Sequence, residues 1–296
     1  MFLPMGDRLA LGTVQFGLPY GVANQGGQVS RNEAAAMLDR AWAAGIDTLD
    51  TAVAYGESEQ RLGEMGVAKW RVVSKLPAAL QEPCEDVAGW AQRSVISSLE
   101  RLKINRLHGL LVHRSQQLLG RQGAALQKAL DALKSQSMVE KIGVSIYAPE
   151  ELDMMWPNFQ PDLVQAPFSV VDRRLLASGW LSRLYQTGVE VHVRSVFLQG
   201  LLLMDPARRP TTFDRWRGLW QRWEEWLLDQ SLTPLQACLG FAGSMPEISR
   251  IVVGVDSLRQ LNEILFASKH SNVLPPPELS CNDCDLVDPS RWAIQK

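Results

Sequence analysis

Residues 45–63 read Gly-Ile-Asp-Thr-Leu-Asp-Thr-Ala-Val-Ala-Tyr-Gly-Glu-Ser-Glu-Gln-Arg-Leu-Gly. The stretch opens with a short apolar run, Ile46–Leu49, that ends at an acidic residue, Asp50. Upstream of it, Ser30 and Glu33 have the spacing of a capping box, and apolar residues follow at roughly helical steps as far as Gly45. A glycine is the usual residue just after the end of a helix. The region therefore predicts a helix that ends at Gly45 and a buried strand that follows it at once.

The same alternation of apolar run and amphipathic stretch continues along the whole chain. The amphipathic stretches lie at Glu85–Arg106, Ala124–Leu133, Leu175–Leu184, Pro234–Phe241 and Leu258–Phe266. The eight apolar runs are Leu9–Val14, Ile46–Leu49, Val72–Lys75, Leu107–His113, Lys141–Ser145, Leu163–Gln165, Val189–Ser195 and Ile251–Gly254. Eight such units predict an α/β fold, a (β/α)8 TIM barrel, in a single domain. An open doubly wound sheet is the competing fold, but its glycine-rich dinucleotide turn after the first strand is absent.

The single domain is expected to span residues 1–296, with the barrel at about 9–268 and an irregular tail at 269–296 that follows from Pro275-Pro276-Pro277. One long connection, Gly200–Ser231, exceeds what a barrel loop requires. Its tryptophan-rich part, residues 204–230, places four tryptophans at helical steps: Trp216, Trp220, Trp223 and Trp226. The spacing favours a helix that packs on the barrel, and such a helix could also wall the barrel mouth.

Composition excludes several classes of protein. With 46% hydrophobic and 21% charged residues, the chain is neither disordered nor fibrous. Thirty basic and 32 acidic side chains leave a net charge of −2, which predicts no nucleic-acid partner and no membrane partner. The first eight residues lack the pattern of a signal peptide, so a cytoplasmic location is expected.

The four cysteines are Cys84, Cys238, Cys281 and Cys284, and in this setting they are expected to be reduced thiols. Cys281 and Cys284 have C-x-x-C spacing, but no second pair or nearby histidine accompanies them. An incidental feature of the tail is therefore favoured over a zinc or redox site, and no metal site is predicted.

Reactive groups of an α/β barrel belong at the carboxyl ends of its strands. Asp50, Lys75 and His113 end three successive predicted strands, and Tyr55 lies in the loop after Asp50. An ammonium beside a phenol lowers the phenol pKa, a carboxylate would hold the ammonium charged, and an imidazole can orient a carbonyl oxygen. Such a group suits protonation of an oxygen while a cofactor delivers hydride. Each residue alone could also have a structural role.

The segment 45–52, with Tyr55-Gly56-Glu57-Ser58-Glu59 and Leu62-Gly63, resembles the aldo/keto reductase signature. Val73-Ser74-Lys75 and Leu110-Leu111-Val112-His113 look like the next two strands of that family. The resemblance implies a barrel that binds an extended nicotinamide cofactor. It also implies that Tyr55 is the general acid, that Lys75 and Asp50 tune it, and that His113 orients the substrate.

The resemblance further implies a set of cofactor contacts, and NADP(H) is the family default, with NAD(H) left open. Three positions depart from the family pattern: Ile146 and Ile264 replace asparagines, and Arg194 replaces the aromatic residue that stacks on the nicotinamide. In the adenosine-phosphate segment only Arg259 is basic, and Asp256 would oppose a 2′-phosphate. The implied contacts are Gly12, Thr13, Asp50, Ser145, Gln165, Arg194, Ser195, Gly200, Gly254, Ser257, Gln260 and Glu263.

Several arginines should approach the mouth of the barrel: Arg114, Arg173, Arg174 and Arg194. They are interpreted either as surface salt pairs or as a site for an anionic or phosphorylated substrate such as a nucleotide-linked sugar. The predicted activity is reduction of a small aldehyde or ketone by NAD(P)H. A cofactor-binding sensor or auxiliary subunit, or a redox-neutral sugar-modifying enzyme that recycles its cofactor in place, are the alternatives, and the oligomeric state is left open.

Overall fold

The structure, a computed structural model, describes residues 5–24, 26–77, 86–269 and 273–292. Eight parallel strands close a barrel in chain order, with the last strand paired to the first. The (β/α)8 fold predicted from the apolar runs is therefore confirmed. The strands are β1 Leu9–Gly12, β2 Thr48–Asp50, β3 Arg71–Leu76, β4 Leu107–Val112, β5 Val139–Ser145, β6 Leu163–Pro167, β7 Glu190–Arg194 and β8 Arg250–Gly254.

Helices follow the strands and cover the outside of the barrel. The described α-helices are α1 Val14–Gly17, α2 Arg31–Ala43, α3 Ser58–Met65, α4 Val87–Leu102, α5 Gln116–Leu119, α6 Gly123–Ser135, α7 Glu150–Met155, α8 Arg174–Ala177, α9 Trp180–Gln186, α10 Arg217–Asp229, α11 Pro234–Gly243, α12 Leu258–Ala267 and α13 Cys284–Val287. Short 3-10 helices lie at Met5–Arg8, Leu198–Leu203, Pro206–Arg208, Thr211–Trp216, Pro277–Leu279 and Pro289–Arg291. None of the described helices is long and apolar enough to cross a membrane.

Helix α2 forms as predicted, with one difference at its start. The Ser30 hydroxyl accepts a hydrogen bond from the Glu33 backbone N–H, which makes Ser30 the N-cap. The Glu33 carboxylate does not complete a capping box but accepts from the Leu258 backbone N–H at the start of α12, 2.6 Å away. At the other end Gly45, with φ of +89°, lets Ile46 N–H reach the Ala41 carbonyl, which ends the helix and turns the chain into β2.

The predicted helix Leu175–Leu184 is two helices, α8 and α9, because Gly179 adopts a left-handed conformation between them. The tryptophan-rich connection does form a helix, α10, that packs on the barrel. Trp220 and Trp223 are buried in the core, while Trp216 and Trp226 are partly buried against it.

The tail is more ordered than the prediction of an irregular segment implied. Leu279 and Leu286 are fully buried, and Arg173 donates hydrogen bonds to the carbonyls of Pro275 and Pro276. Trp216 Nε1 donates to the Asp283 carboxylate, 3.1 Å away, so the tail packs on the connection that carries α10.

The cysteines of the tail make no disulfide. Cys238, Cys281 and Cys284 are unbridged thiols, and burial raises the pKa of Cys281. Cys84 lies outside the described residues. In the described ranges no group of three or more His, Cys, Asp or Glu side chains is arranged to hold a metal ion.

A cluster of charged side chains fills the amino-terminal end of the barrel. The Glu190 carboxylate pairs with Lys141, lies 2.7 Å from His192 Nε2 and 3.5 Å from His108 Nε2. His192 is fully buried. Burial acts to raise the pKa of Glu190, but the nearby His108 and the hydrogen bonds to His192 and Lys141 outweigh it and hold that pKa well below its usual range.

We expect Glu190→Gln to lower the free energy of unfolding by about 3 kcal/mol, because it removes the carboxylate that three buried or half-buried groups share. A depressed carboxyl pKa stabilises the fold above the ordinary pKa and ceases to do so as the pH falls. The loss should therefore be full at pH 7 and shrink below about pH 4.5, as chemical denaturation at both pH values would measure.

Glu140→Gln is the matched control, since Glu140 also faces His108 but its side chain is 46% exposed. It should cost less than about 1 kcal/mol. Equal losses in the two variants would contradict the assignment of stability to Glu190.

Candidate active site

The carboxyl ends of β2 and β3 hold a buried ion pair. Lys75 Nζ lies 2.8 Å from both carboxylate oxygens of Asp50 and donates a third hydrogen bond to the Thr51 carbonyl at 2.9 Å. Gln165 Nε2 donates to Asp50 Oδ1 at 2.6 Å. Lys75 is 1% exposed and Asp50 4% exposed, so both charges depend on these partners rather than on water.

Tyr55 lies above this pair, in the loop between β2 and α3. Its ring centroid is 5.1 Å from Lys75 Nζ, and the charge of that ammonium acts on the Tyr55 pKa. The loop packs directly on α1: a Cβ on Gly17 would lie 1.8 Å from the Tyr55 carbonyl oxygen. Gly56, with φ of +53°, completes the turn, and Ser58 Oγ ties α3 to the Thr13 carbonyl. The position of Tyr55 therefore requires glycine at residue 17.

The ionisation of Lys75 and Tyr55 follows from burial and from Asp50. Burial acts to lower the pKa of Lys75, but Asp50 and then Tyr55 outweigh it, and the net pKa is raised. For Tyr55, burial is the largest effect and raises the pKa, while the Lys75 charge lowers it only in part. The expectation that Lys75 lowers the phenol pKa is right as a contribution, but the net direction is upward because the loop excludes water.

His113 lies one residue beyond β4 and is half-buried. Burial, then the charges of Lys75 and Arg194, lower its pKa to about 4. The imidazole is therefore neutral at physiological pH, and its ring can present an N–H to a carbonyl oxygen.

Arg194 ends β7 and points across the mouth. Its Nη2 donates to the Ile146 carbonyl at 3.0 Å and its Nη1 to Ser195 Oγ at 3.3 Å. The guanidinium carbon lies 4.7 Å from the centroid of the Tyr147 ring. Its charge acts on the pKa values of Tyr55, Lys75 and His113, so Arg194 lies within electrostatic range of these three predicted catalytic residues.

Three of the predicted cofactor contacts differ in whether their polar groups already have partners. Ser145, at the end of β5, is the register partner of Gln165 in the middle of β6, and both are buried. Gln165 Oε1 has no hydrogen-bond partner among the described residues. Thr13, by contrast, donates hydrogen bonds from both its backbone N–H and its hydroxyl to the Asp50 carbonyl, so these groups stabilise the fold.

The resemblance implies that residues 254–263 hold the adenosine phosphate. This segment begins at the end of β8, where Gly254 is the register partner of Gly12 in β1. Ser257 caps α12 by accepting from the Gln260 backbone N–H, and Gln260 Oε1 accepts from the Asp256 N–H. Asp256 Oδ1 accepts from Asn24 Nδ2 at 2.9 Å. Burial raises the pKa of Asp256.

The charges of this segment are mainly acidic. Arg259 lies 3.8 Å from the Glu263 carboxylate, and the Glu33 carboxylate already accepts a hydrogen bond from the Leu258 N–H.

Two further positions of the implied cofactor site are closely packed. Ile264, where the resemblance implies an asparagine, is buried in the core. Gly200 has φ of +90°, and a Cβ there would lie 2.6 Å from Ala23 Cβ.

The other three arginines expected at the mouth differ in their contacts. Arg173 is held by the carbonyls of the tail, and Arg174 forms an ion pair with the buried Asp172. Both therefore have the structural role. Arg114 is exposed and acts on the pKa of His113, which places it at the rim.

Two tyrosines at the mouth were missed from the sequence. Tyr20, in the loop after α1, receives a hydrogen bond from Gln199 Nε2 at 3.1 Å, and its pKa is raised by burial and by Tyr55. Tyr147 follows Ser145 by two residues, and its N–H donates to the buried Glu151. Position after a strand end could have indicated Tyr147, whereas no sequence signal marks Tyr20.

The comparisons with known proteins agree with this architecture. The aldo/keto reductase family model matches residues 8–280. The oxidoreductase YqkF of Bacillus subtilis strain 168, itself uncharacterized, is 23% identical over 266 residues, which cover 80% of this chain and 83% of YqkF.

Two solved structures share the fold. A protein described as a putative aldo-keto reductase from Pseudomonas aeruginosa superposes with a TM-score of 0.67 at 24% identity, covering 91% of this chain and 94% of that one. A holo-form aldo-keto reductase from Bacillus halodurans has a TM-score of 0.68 at 18% identity, with 92% and 89% of the two chains covered.

We expect the His113 imidazole to titrate near pH 4 in an NMR pH titration. Arg194→Gln should move its midpoint upward, because one of the nearby positive charges that disfavour protonation is removed. Arg106→Gln, which removes the same charge just before β4 at the other end of the barrel, should leave the midpoint in place. A wild-type midpoint near 6.5, or no response to Arg194→Gln, would contradict the electrostatics described above.

Proposed function

The chain belongs to the aldo/keto reductase family, and on that premise we propose that it is a nicotinamide-dependent oxidoreductase that reduces an aldehyde or ketone to the alcohol. The observation that carries the proposal is the Tyr55 phenol held beside the buried pair of Lys75 and Asp50. Reduction of a carbonyl needs a hydride at carbon and a proton at oxygen. Side chains supply no hydride, and a reduced nicotinamide supplies it when bound.

Tyr55 is the proton donor of the proposal. Its raised pKa keeps the phenol protonated at neutral pH, which is the form required for donation. Once the proton moves to the substrate oxygen, the Lys75 ammonium stabilises the phenolate that remains. Asp50 holds that ammonium charged and fixed, so Lys75 acts as a cation and not as the acid.

His113 orients the substrate in this proposal. A neutral imidazole just beyond β4, within electrostatic range of Lys75, can donate one N–H to the carbonyl oxygen and so bring that oxygen towards Tyr55. Because the pKa is lowered to about 4, the histidine neither competes as the acid nor adds charge to the site at neutral pH.

The described residues fit a nicotinamide. The unpartnered Gln165 Oε1 is an acceptor of the kind that a carboxamide N–H satisfies, and Ser145 lies beside it in register. We propose that these two residues hold the carboxamide and that Arg194 lies along the ring. The remaining implied contacts would hold the rest of the cofactor: Gly12, Thr13, Ser195, Gly200, Gly254, Ser257, Gln260 and Glu263.

Replacing Tyr55 by Phe should lower kcat by on the order of 10²- to 10⁴-fold, because the proton donor is lost. The affinity for NADPH or NADH, measured by the quenching of tryptophan fluorescence, should be nearly unchanged. Tyr185→Phe, at an exposed tyrosine of α9, is the control and should leave both properties intact.

Unchanged turnover in Tyr55→Phe would refute the assigned mechanism. Cofactor binding by the wild-type protein with no reduction across a panel of aldehydes and ketones would favour a cofactor-binding sensor instead. The buried Ile146 and Ile264, which supply no polar contact at two family positions, are the observation behind that alternative.

The family default favours NADP(H), and the acidic surroundings of Arg259 oppose a 2′-phosphate. Asp256→Asn should tighten NADPH several-fold relative to NADH, since it removes one repelling charge from the proposed adenosine site. Equilibrium titrations of both cofactors measure the ratio, with Asp131→Asn on α6 as the control for loss of a charge elsewhere. An unchanged ratio would place the adenosine phosphate away from Asp256.

A further inference from the structure

Arg194 has unused hydrogen-bonding capacity in the middle of the candidate active site. A guanidinium carries five N–H donors, and in the described chain Arg194 uses one on the Ile146 carbonyl and one on Ser195 Oγ. No described carboxylate lies within ion-pair distance of it. Three N–H groups and a full positive charge are therefore available at the mouth.

Five other shielded arginines of the described chain each direct at least three hydrogen bonds at protein acceptors. Arg101, Arg174 and Arg250 each pair with a carboxylate. Arg8 and Arg173 lack one, but each directs three hydrogen bonds at backbone carbonyls. Arg194 differs because its partners serve only to hold it in place, with one edge left open.

The charge balance around Tyr55 and His113 is positive. The charged groups that act on these two residues are Lys75, Asp50, Arg194 and Arg114. Lys75 and Asp50 neutralise each other in a closed pair, and His113 is neutral at pH 7. The uncompensated charge is that of Arg194, with exposed Arg114 adding to it at the rim.

We propose that the substrate carries an anionic group, a carboxylate or a phosphate, and that the open edge of Arg194 binds it while the carbonyl oxygen faces Tyr55 and His113. This inference rests on the proposed carbonyl reduction. The Tyr147 ring and the Ile146 carbonyl hold the guanidinium in place beforehand, so little ordering remains to be done on binding. A fork of N–H donors matches two oxygens of either anion.

The first test measures binding without turnover. Titration calorimetry on the cofactor-loaded protein compares three alcohol products: 4-(hydroxymethyl)benzoate, its neutral methyl ester and 4-(hydroxymethyl)phenyl phosphate. At least one anion should bind on the order of 10- to 100-fold more tightly than the ester, and Arg194→Gln should abolish that preference. The carboxylate and phosphate arms identify which anion the site prefers.

Matched variants separate local from general charge. Arg194→Lys keeps the charge but loses the fork, so it should retain only part of the preference. Arg106→Gln removes one charge at the far end of the barrel and should retain all of it. Equal affinity of the anions and the ester in wild type, no measurable binding of either anion, or a preference that survives Arg194→Gln would each overturn the proposal.

A second measurement distinguishes substrate from cofactor as the source of the anion. If Arg194→Gln weakens NADPH and NADH binding while the product preference persists, the guanidinium serves the cofactor phosphates and the inference fails. Reduction of 4-formylbenzoate and its methyl ester adds a kinetic readout, in which the variant should raise KM for the anion alone. Absence of any carbonyl reduction would refute the proposed function, whereas the calorimetric comparison would still decide the role of Arg194.

Discussion

The buried ion pair between Asp50 and Lys75 is the interaction on which the candidate active site depends. Taking two charges out of water is costly, and only close approach with further hydrogen bonds offsets the cost. Here both oxygens of Asp50 contact the ammonium, and Thr51 and Gln165 complete the set. Because those partners come from β2, β3 and β6, the pair also fixes how three strand ends meet. Loss of either member would leave the other charge buried without a partner. The electrostatics of the site and the packing of these strand ends therefore depend on the same ion pair.

Much of this arrangement could be predicted from the sequence because the barrel imposes it. Strands buried on both faces appear as continuous apolar runs, and the residue that ends each run points to the common rim. This position at the end of an apolar run predicts Asp50, Lys75 and His113 as residues of the rim. What the sequence could not supply were quantities that depend on distant parts of the chain. The net pKa of Tyr55 depends on how far the loop is shielded from water. Glu33 prefers an N–H that is 225 residues away to the one in its own helix.

Net charge conceals the local field of the mouth. The chain carries −2 overall, and most of its arginines are paired on the surface or tied to carbonyls. At the mouth, Asp50 is paired with Lys75. Arg194, at the position where the resemblance implies an aromatic residue, therefore has no carboxylate partner in the described chain. Arg194 also contributes to the lowered pKa of His113, after burial and the charge of Lys75. In the proposed function Arg194 therefore acts both on substrate recognition and on the ionisation of His113.

The contact between Gly17 and the Tyr55 carbonyl has a consequence for engineering. The first and second βα loops meet with no room for a side chain, so neither has an independent conformation. If the second loop alone were exchanged for that of a relative, the new loop would pack against a first loop whose shape does not match it. The two loops should therefore be transplanted together, and substrate range in this barrel is better altered through the loops after β5 and β7, which carry Tyr147 and the segment that follows Arg194.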